Sequence, residues 1–366
     1  MSFSAADHAF MARALVLTGR GRDTSTPNPN VGCVLAKDGR IIGEGWHARA
    51  GEPHAEIVAL ANATESAQGA TVYVTLEPCA HQGRTGPCAD KLVEARVARV
   101  VAALQDPVPQ VNGRGLERLR AAGIAAETGL MEAQAREVHR GFLSRVTRGR
   151  PWMRIKAAAS IDGRTAMASG ESQWITGEAA RRDVHALRAR SCAMLTGIGT
   201  VMHDDPRLTV RDVPCERQPR RAVIDSRLEM KAHARILHGG GALIFTTSDD
   251  GARRAALERA GAEVIAVPHD AAKPGKTDLA AVARMLGERG FNEVTVETGA
   301  RLNGSLIAAG VIDEIVLYLA PRILGDSAQG LFALPGLERL QDAIAVRIAE
   351  VRSVGEDLRV TLRLGS

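Results

Sequence analysis

The stretches Gly51-Glu52-Pro53-His54-Ala55-Glu56 and Thr75-Leu76-Glu77-Pro78-Cys79, followed by Pro87-Cys88, decide how the first half of this chain is read. One His and two Cys make a three-ligand zinc set that leaves the fourth position open for water. Glu56, two residues after His54, is placed to move protons rather than to bind metal. Together they match the arrangement in which a metal-activated water attacks an amino-bearing carbon of a base. A lone His-x-Glu is usually a solvated helix start, and a pair of Cys is more often buried packing. Their co-occurrence in this order, with Glu-Pro ahead of Cys79, selects the metal reading.

One departure stands out. The common signature ends in Pro-Cys-x-x-Cys, whereas here eight residues, Ala80 to Pro87, separate Cys79 from Cys88. This insert is polar and turn-rich. It reads as a substrate-contacting loop, with Arg84 aimed at a phosphate or a base. His81 as a fourth ligand would close the site and leave Glu56 without a purpose.

At 366 residues the chain has room for two domains. Lys and Arg outnumber Asp and Glu by 47 to 42, a net charge of +5 spread along the chain. That excess fits an enzyme for a phosphorylated small molecule at least as well as a nucleic-acid binder. Aromatic residues are only 3% of the chain, which argues against an extended base-stacking surface. The five cysteines are irregularly spaced and do not form a disulfide framework. With two of them read as metal thiolates, a reducing compartment is expected. No signal peptide and no apolar run of membrane-spanning length is evident, so the expected location is the cytoplasm and no membrane partner is expected. A homo-oligomer is compatible with all of this.

The first half alternates helices and strands. A helix carrying Phe10, Met11, Ala14, Leu15 and Leu17 is expected to stop at Gly19. Strands at Val31–Ala36 and Arg40–Gly43 join at Asp38-Gly39, a hairpin signal. A helix begins near His54, with Pro53 suited to its first turn. Thr71–Leu76 and Arg99–Leu104 read as strands, and Cys88 starts a helical run. A long amphipathic segment, Glu132 to Arg148, ends in Gly149-Arg150-Pro151, where the domain boundary is placed. Beyond it, strands recur at Met153–Ala157, Ala193–Leu195, Arg221–Asp225, Ala242–Thr246, Glu263–Val267, Glu293–Val296, Glu314–Leu319 and Leu358–Leu364. Helical runs such as Ala179–Ala189 and Leu279–Arg289 separate several of them. This predicts a second α/β domain with a largely parallel sheet.

Asn28-Pro29-Asn30-Val31-Gly32-Cys33, together with the His54, Cys79 and Cys88 motifs, resembles the bifunctional deaminase–reductases of riboflavin biosynthesis. The long Cys79–Cys88 spacing is itself typical of that family. The resemblance implies a cytidine-deaminase-like α/β/α domain over residues 1–150 and a dihydrofolate-reductase-like α/β domain over 151–366. It implies that the first domain deaminates a diaminopyrimidinone bearing a phosphoribosylamino group. The second then reduces the ribosyl group to ribityl with NADPH. His54, Cys79 and Cys88 would hold Zn²⁺, Glu56 would donate the proton, and Asn28 and His47 would line the base pocket.

In the second half only Thr196-Gly197-Ile198-Gly199-Thr200 hints at a dinucleotide loop, and it is an incomplete match. The resemblance runs further, through Ile155–Gly163, Ser169–Thr176, Asp204–Arg211 and Val296–Gly299. It implies that Ser172, Arg188, Asp204, Leu208, Arg211 and Glu297 contact the phosphoribosyl substrate. Ala158, Trp174, Thr200 and Ser226 would hold NADPH, as would the stretch Gly299, Ala300, Arg301, Leu302, Asn303, Gly304 and Ser305. Lys156 and Glu297 are the candidates for polarising the opened sugar and relaying its proton; a structural ion pair is the plainer alternative. Trp174 could equally belong to the core.

Two other readings remain open at this point. One is a monofunctional deaminase whose second domain only binds or scaffolds. The other is a nucleic-acid-editing deaminase with a C-terminal RNA-gripping domain, which clustered basic and aromatic residues would favour.

Overall fold

A computed structural model describes residues 3–80 and 86–365. The chain divides into two compact units, Met1–Gly149 and Arg150–Ser366. No helix among the described residues is long and apolar enough to cross a membrane.

The first unit holds α1 (Ala5–Gly21), β1 (Gly32–Lys37), β2 (Arg40–Trp46), α2 (Ala55–Ala61), β3 (Thr71–Val74), α3 (Cys88–Glu94), β4 (Arg99–Ala102), α4 (Arg114–Ala121), β5 (Ala125–Thr128) and α5 (Glu132–Arg148). Its five strands lie in the order β2-β1-β3-β4-β5. β1 is antiparallel to both neighbours, and the β3-β4-β5 edge is parallel. The β1–β2 hairpin turns at Asp38 and Gly39, with φ of 48° and 76°, the paired left-handed geometry of a tight hairpin. A capping box starts α1: Ser4 Oγ accepts from the Asp7 amide, and Asp7 accepts from the Ser4 amide. This helix runs past Gly19 to Gly21, because an exposed mid-helix Gly costs only about 1 kcal/mol and the tertiary contacts on Leu17 and Thr18 outweigh it.

α2 rests directly on β2. A Cβ added at Gly45 would lie 2.2 Å from the Ala55 carbonyl oxygen. Only glycine therefore lets the start of α2, and with it His54 and Glu56, approach the sheet so closely. Pro53 lies ahead of this helix rather than in its first turn, since His54 is the N-cap. α5 ends at Gly149, whose φ of 69° closes the helix in the left-handed conformation glycine tolerates.

The second unit holds β6 (Trp152–Ser160), β7 (Arg164–Ala166), α6 (Glu178–Ala189), β8 (Ala193–Gly197), α7 (Ile198–Asp204), β9 (Arg220–Ile224), β10 (Leu243–Thr246), α8 (Gly251–Arg259), β11 (Glu263–Ala266), β12 (His269–Asp270), β13 (Lys273–Thr277), α9 (Leu279–Glu288), β14 (Glu293–Val296), α10 (Ala300–Ala308), β15 (Glu314–Ala320), β16 (Gln329–Gly330), β17 (Val346–Val354) and β18 (Asp357–Leu364). Nine of these strands form one sheet in the order β11-β10-β9-β8-β14-β6-β15-β18-β17. It is parallel from β11 to β15 and ends in an antiparallel β18–β17 edge. The central strands β8 and β14 are buried on both faces, as parallel sheets with helical cover require.

At the centre of that sheet lies one fully buried arginine. Arg154 on β6 donates to Glu293 on β14 at 2.7 Å and to Glu314 on β15, while Arg363 on β18 meets Glu314 at 2.8 Å. Each buried charge has an opposite partner, the condition under which such groups are tolerated in a core.

Candidate active sites

In the first unit, the β-strand ends deliver the site. His54 caps α2, Cys79 follows β3, and Cys88 opens α3. His54 Nδ1 lies 3.3 Å from Cys88 Sγ and 3.6 Å from Cys79 Sγ. Among the described residues this is the one group of metal-binding side chains whose donor atoms cluster, all within 4.8 Å. Zinc–sulfur and zinc–nitrogen bonds of about 2.3 and 2.05 Å give a tetrahedral N···S edge of about 3.6 Å. The His54 nitrogen thus stands from both sulfurs at about the spacing a tetrahedral zinc needs. The Cys88 amide donates to Cys79 Sγ at 3.3 Å, and hydrogen bonding from Cys88 and His54 lowers the Cys79 thiol pKa. A thiolate is what the metal requires.

Glu56 lies in the first turn of α2 and is 4% exposed. Burial raises its carboxyl to about 7, with His54 opposing and Cys79 adding to the rise. Next to it, His47 and His54 meet edge to face at 5.2 Å. His47 Nδ1 lies 3.2 Å from the Pro53 carbonyl oxygen, which can only accept, so the ring proton sits on Nδ1. His47 Nε2 then accepts from Asn28 Nδ2 at 3.0 Å. Burial lowers the His47 pKa, in keeping with a neutral ring. Asn28, His47, His54 and Glu56 are therefore brought to one place. Arg84 and His81 lie outside the described residues.

In the second unit the candidate residues gather where β6, β8, β9 and β14 end, the usual location for sites in open α/β sheets. Glu297 follows β14 and receives both prongs of Arg188 from α6. Lys156 Nζ on β6 stands 3.9 Å from Glu297 Oε2. Burial would raise the Glu297 carboxyl, but Arg188 and Lys156 outweigh it and hold it at about 2. Burial pulls Lys156 below the ordinary lysine range, helped by Arg188 and opposed by Glu297.

The remaining positions differ in how they face this site. Thr200 Oγ1 is 3.5 Å from Thr298 Oγ1, and Gly299 behind it caps α10 with open space where a Cβ would be. Ser226 follows β9 and accepts from the Thr277 amide at 3.2 Å. Trp174 is 62% exposed, so it is not a core residue; Arg181 stacks on it at 5.0 Å. Ala158 on β6 and Ser172 are partly exposed, as is Ser305. Ala300 and Arg301 begin α10 on its open side, whereas Leu302, Asn303 and Gly304 turn inward. Asn303 Nδ2 donates to the Thr298 carbonyl, and a Cβ on Gly304 would meet the Ala333 carbonyl oxygen at 2.0 Å. Leu208 is buried in a cluster with Met194, Val201 and Val223, so its side chain packs into the core. Asp204 is exposed and bonds His203. Arg211 is exposed, its amide donating to His185 Nδ1 at 3.2 Å. Thr298, and Thr209 whose carbonyl accepts from Arg188 at 3.2 Å, lie in stretches quoted above without being given a role, and His185 carried no signal.

Residues 4–104 match the family described as the cytidine and deoxycytidylate deaminase zinc-binding region, and residues 151–360 match the RibD C-terminal domain. The riboflavin biosynthesis protein RibD of Escherichia coli is 50% identical, covering 96% of this chain and 98% of its own. The Haemophilus influenzae RibD is 45% identical over 99% of this chain and 98% of its own. Among solved structures, Acinetobacter baumannii RibD aligns with a TM-score of 0.90 at 40% identity, covering 99% of both chains. A Thermotoga maritima diaminohydroxyphosphoribosylaminopyrimidine deaminase/5-amino-6-(5-phosphoribosylamino)uracil reductase aligns at 0.86 and 31%, covering 98% of this chain and 99% of its own. Fold and site thus define a zinc-dependent deaminase joined to a reductase. The chain belongs to the RibD family of riboflavin biosynthesis proteins. It is a bifunctional enzyme, deaminase and NADPH-dependent reductase, with zinc and NADPH as its cofactors.

Proposed function

We propose that residues 1–150 deaminate 2,5-diamino-6-(5-phosphoribosylamino)pyrimidin-4-one and that residues 151–366 reduce the ribosyl group of the product to ribityl. The observation that carries the first assignment is the His54, Cys79, Cys88 cluster with the buried Glu56 carboxyl beside it. Bound zinc supplies Lewis acidity, which makes water a competent nucleophile near neutral pH. Glu56 takes the proton of the attacking water and passes it to the departing amine, leaving ammonia and a carbonyl. A buried carboxyl two residues from His54 is placed for both halves of that transfer. Asn28 and His47 orient the base, and Arg84 is assigned to the substrate.

In the second unit, NADPH supplies the hydride. Lys156, held against Glu297, delivers a proton to the ring oxygen of the ribosyl group as the C1–O bond opens, leaving the C1=N carbon to take the hydride. Arg188 fixes Glu297 and, with Ser172, Asp204, Leu208 and Arg211, frames the phosphoribosyl group. Ala158, Trp174, Thr200, Ser226 and Gly299 to Ser305 form the cofactor wall. The fit rests on hydroxyls and the glycine-capped start of α10, groups that suit a pyrophosphate. The inward side chains of Leu302 and Asn303, with the close approach of the Gly304 backbone to Ala333, support that wall from behind.

The partner is accordingly a small phosphorylated molecule, in the cytoplasm and without nucleic acid or membrane. Self-association into a homo-oligomer is compatible with this reading. Mass spectrometry of products from the phosphoribosylaminopyrimidine, with and without NADPH, tests both steps. Mass gain from deamination alone without NADPH, and two further hydrogens with it, is the expected result. Absence of the reduced product would reassign the second unit.

A further inference from the structure

Glu77 lies two residues before Cys79, is 4% exposed, and touches none of the three donor atoms described above. Its carboxylate is nonetheless fully engaged. Oε2 accepts from the amides of Asp106 at 3.1 Å and Gly113 at 2.9 Å. Oε1 accepts from those of Gly115 at 2.9 Å and Leu116 at 3.3 Å. α4 begins behind Gly113, a residue with no side chain to cap it. Glu77 therefore does the capping from another part of the chain, taking the second and third helical amides. An anion at a helix start is favoured by the unpaired amides there.

The same contact clamps the turn that carries Cys79. A Cβ added at Gly115 would lie 1.9 Å from the Pro78 carbonyl oxygen, so α4 abuts Pro78 directly. The Glu77 amide donates to the Leu104 carbonyl at 2.9 Å, tying it to the end of β4. On the far side of Pro78, the Cys79 carbonyl accepts from the Ala89 amide at 3.1 Å. The Glu77-Pro78-Cys79 turn is held at both ends, and the Glu77 carboxylate holds one of them.

We infer that Glu77 is a positioning residue for Cys79: its carboxylate locks the turn onto the start of α4, so that Sγ is in place before metal arrives. This rests on the reading of Cys79 as a zinc ligand. Outer groups that orient a ligand typically change metal affinity by about 10–100-fold when altered.

The test uses the full chain carrying Glu77→Gln, Glu77→Asp or Cys79→Ser. Glutamine keeps the shape but turns an NH₂ toward amide donors. Zinc loss to a competing chelator should be about 10–100-fold faster in Glu77→Gln. The thiolate absorption of the cobalt-substituted protein should change, with far-UV circular dichroism and NADPH oxidation on deaminated substrate preserved. Glu77→Asp, which keeps the charge, should fall between it and wild type. Zinc loss and cobalt spectrum equal to wild type in Glu77→Gln overturn the inference. So does loss of folding in both Glu77 variants, which would make the residue a general folding determinant. Cys79→Ser that keeps zinc as wild type does would instead remove Cys79 as a ligand, whatever Glu77 shows.

Discussion

Arg188 and Glu297 form a two-pronged ion pair, Nε to Oε1 at 2.7 Å and a terminal nitrogen to Oε2 at 2.8 Å. Both side chains are nearly buried, at 12% and 13% exposure. The fork of Arg188 is therefore spent first on a protein carboxylate, and Glu297 stays ionised beside Lys156. Removing one member of such a pair leaves the other charged and dry. Arg188→Ala should destabilise the second unit by about 3–5 kcal/mol. Arg188→Lys, which keeps the charge and loses the fork, should cost less stability but still slow reduction. Denaturant unfolding and NADPH oxidation measure the two effects; an Arg188→Ala protein of wild-type stability would contradict the coupling.

Glu56→Gln keeps the volume of the side chain but cannot carry a proton. Ammonia release should fall by about 10²–10⁴-fold, with zinc content unchanged. NADPH oxidation on already deaminated substrate should continue at the wild-type rate. A variant that releases ammonia normally would take Glu56 out of the mechanism.

Lys156 and Arg211 should separate kinetically. Arg211 is exposed and is assigned to the substrate phosphate, so Arg211→Lys should raise KM in the reductase with kcat nearly kept. Lys156 is assigned to the reacting sugar, so Lys156→Ala should lower kcat. Steady-state kinetics on the deaminated substrate decide; the opposite pattern would exchange the two roles.

Acid should loosen the first unit through His139. It is 1% exposed on α5, its Nε2 is 3.1 Å from Thr75 Oγ1, and burial lowers its pKa to about 4. The unfolded chain takes up this proton near the ordinary 6.5, whereas the folded one does so only at about 4. Stability is therefore full above pH 6.5 and falls as the pH drops toward 4, by about 3 kcal/mol in all. Unfolding at pH 7 and pH 4.5 should show this loss in wild type and a smaller one in His139→Gln. Equal pH slopes would mean that His139 is not the responsible group.

What the sequence disclosed follows from how locally each feature is written. His54, Glu56, Cys79 and Cys88 sit within a short span, and their chemistry shows in residue type and order. The strands β8, β10 and β14 were legible because their apolar and β-branched residues follow from burial on both faces. β17 was missed because it is an exposed edge strand, with Arg347, Glu350 and Arg352 interleaved among its aliphatic residues. α4 was missed because charged residues dominate its short length. Glu77 was visible only as a letter before Pro78-Cys79. Its partners are backbone amides, which leave no trace in residue identity. Arg188 and Glu297 were each marked for the substrate, but their mutual bond spans 109 residues and has no local signature.

The buried Arg154 has a bearing on how the second unit is built during folding. Its carboxylate partners lie 139 and 160 residues further along the chain, on the two strands that flank β6. Until both strands have arrived, desolvating the guanidinium is prohibitively costly. The middle of the sheet therefore has no favourable half-assembled form. β6, β14 and β15 must come together in one cooperative event, with strand register checked by charge as they do. An error of one residue in either pairing would turn a carboxylate to the opposite face and leave the arginine unmatched.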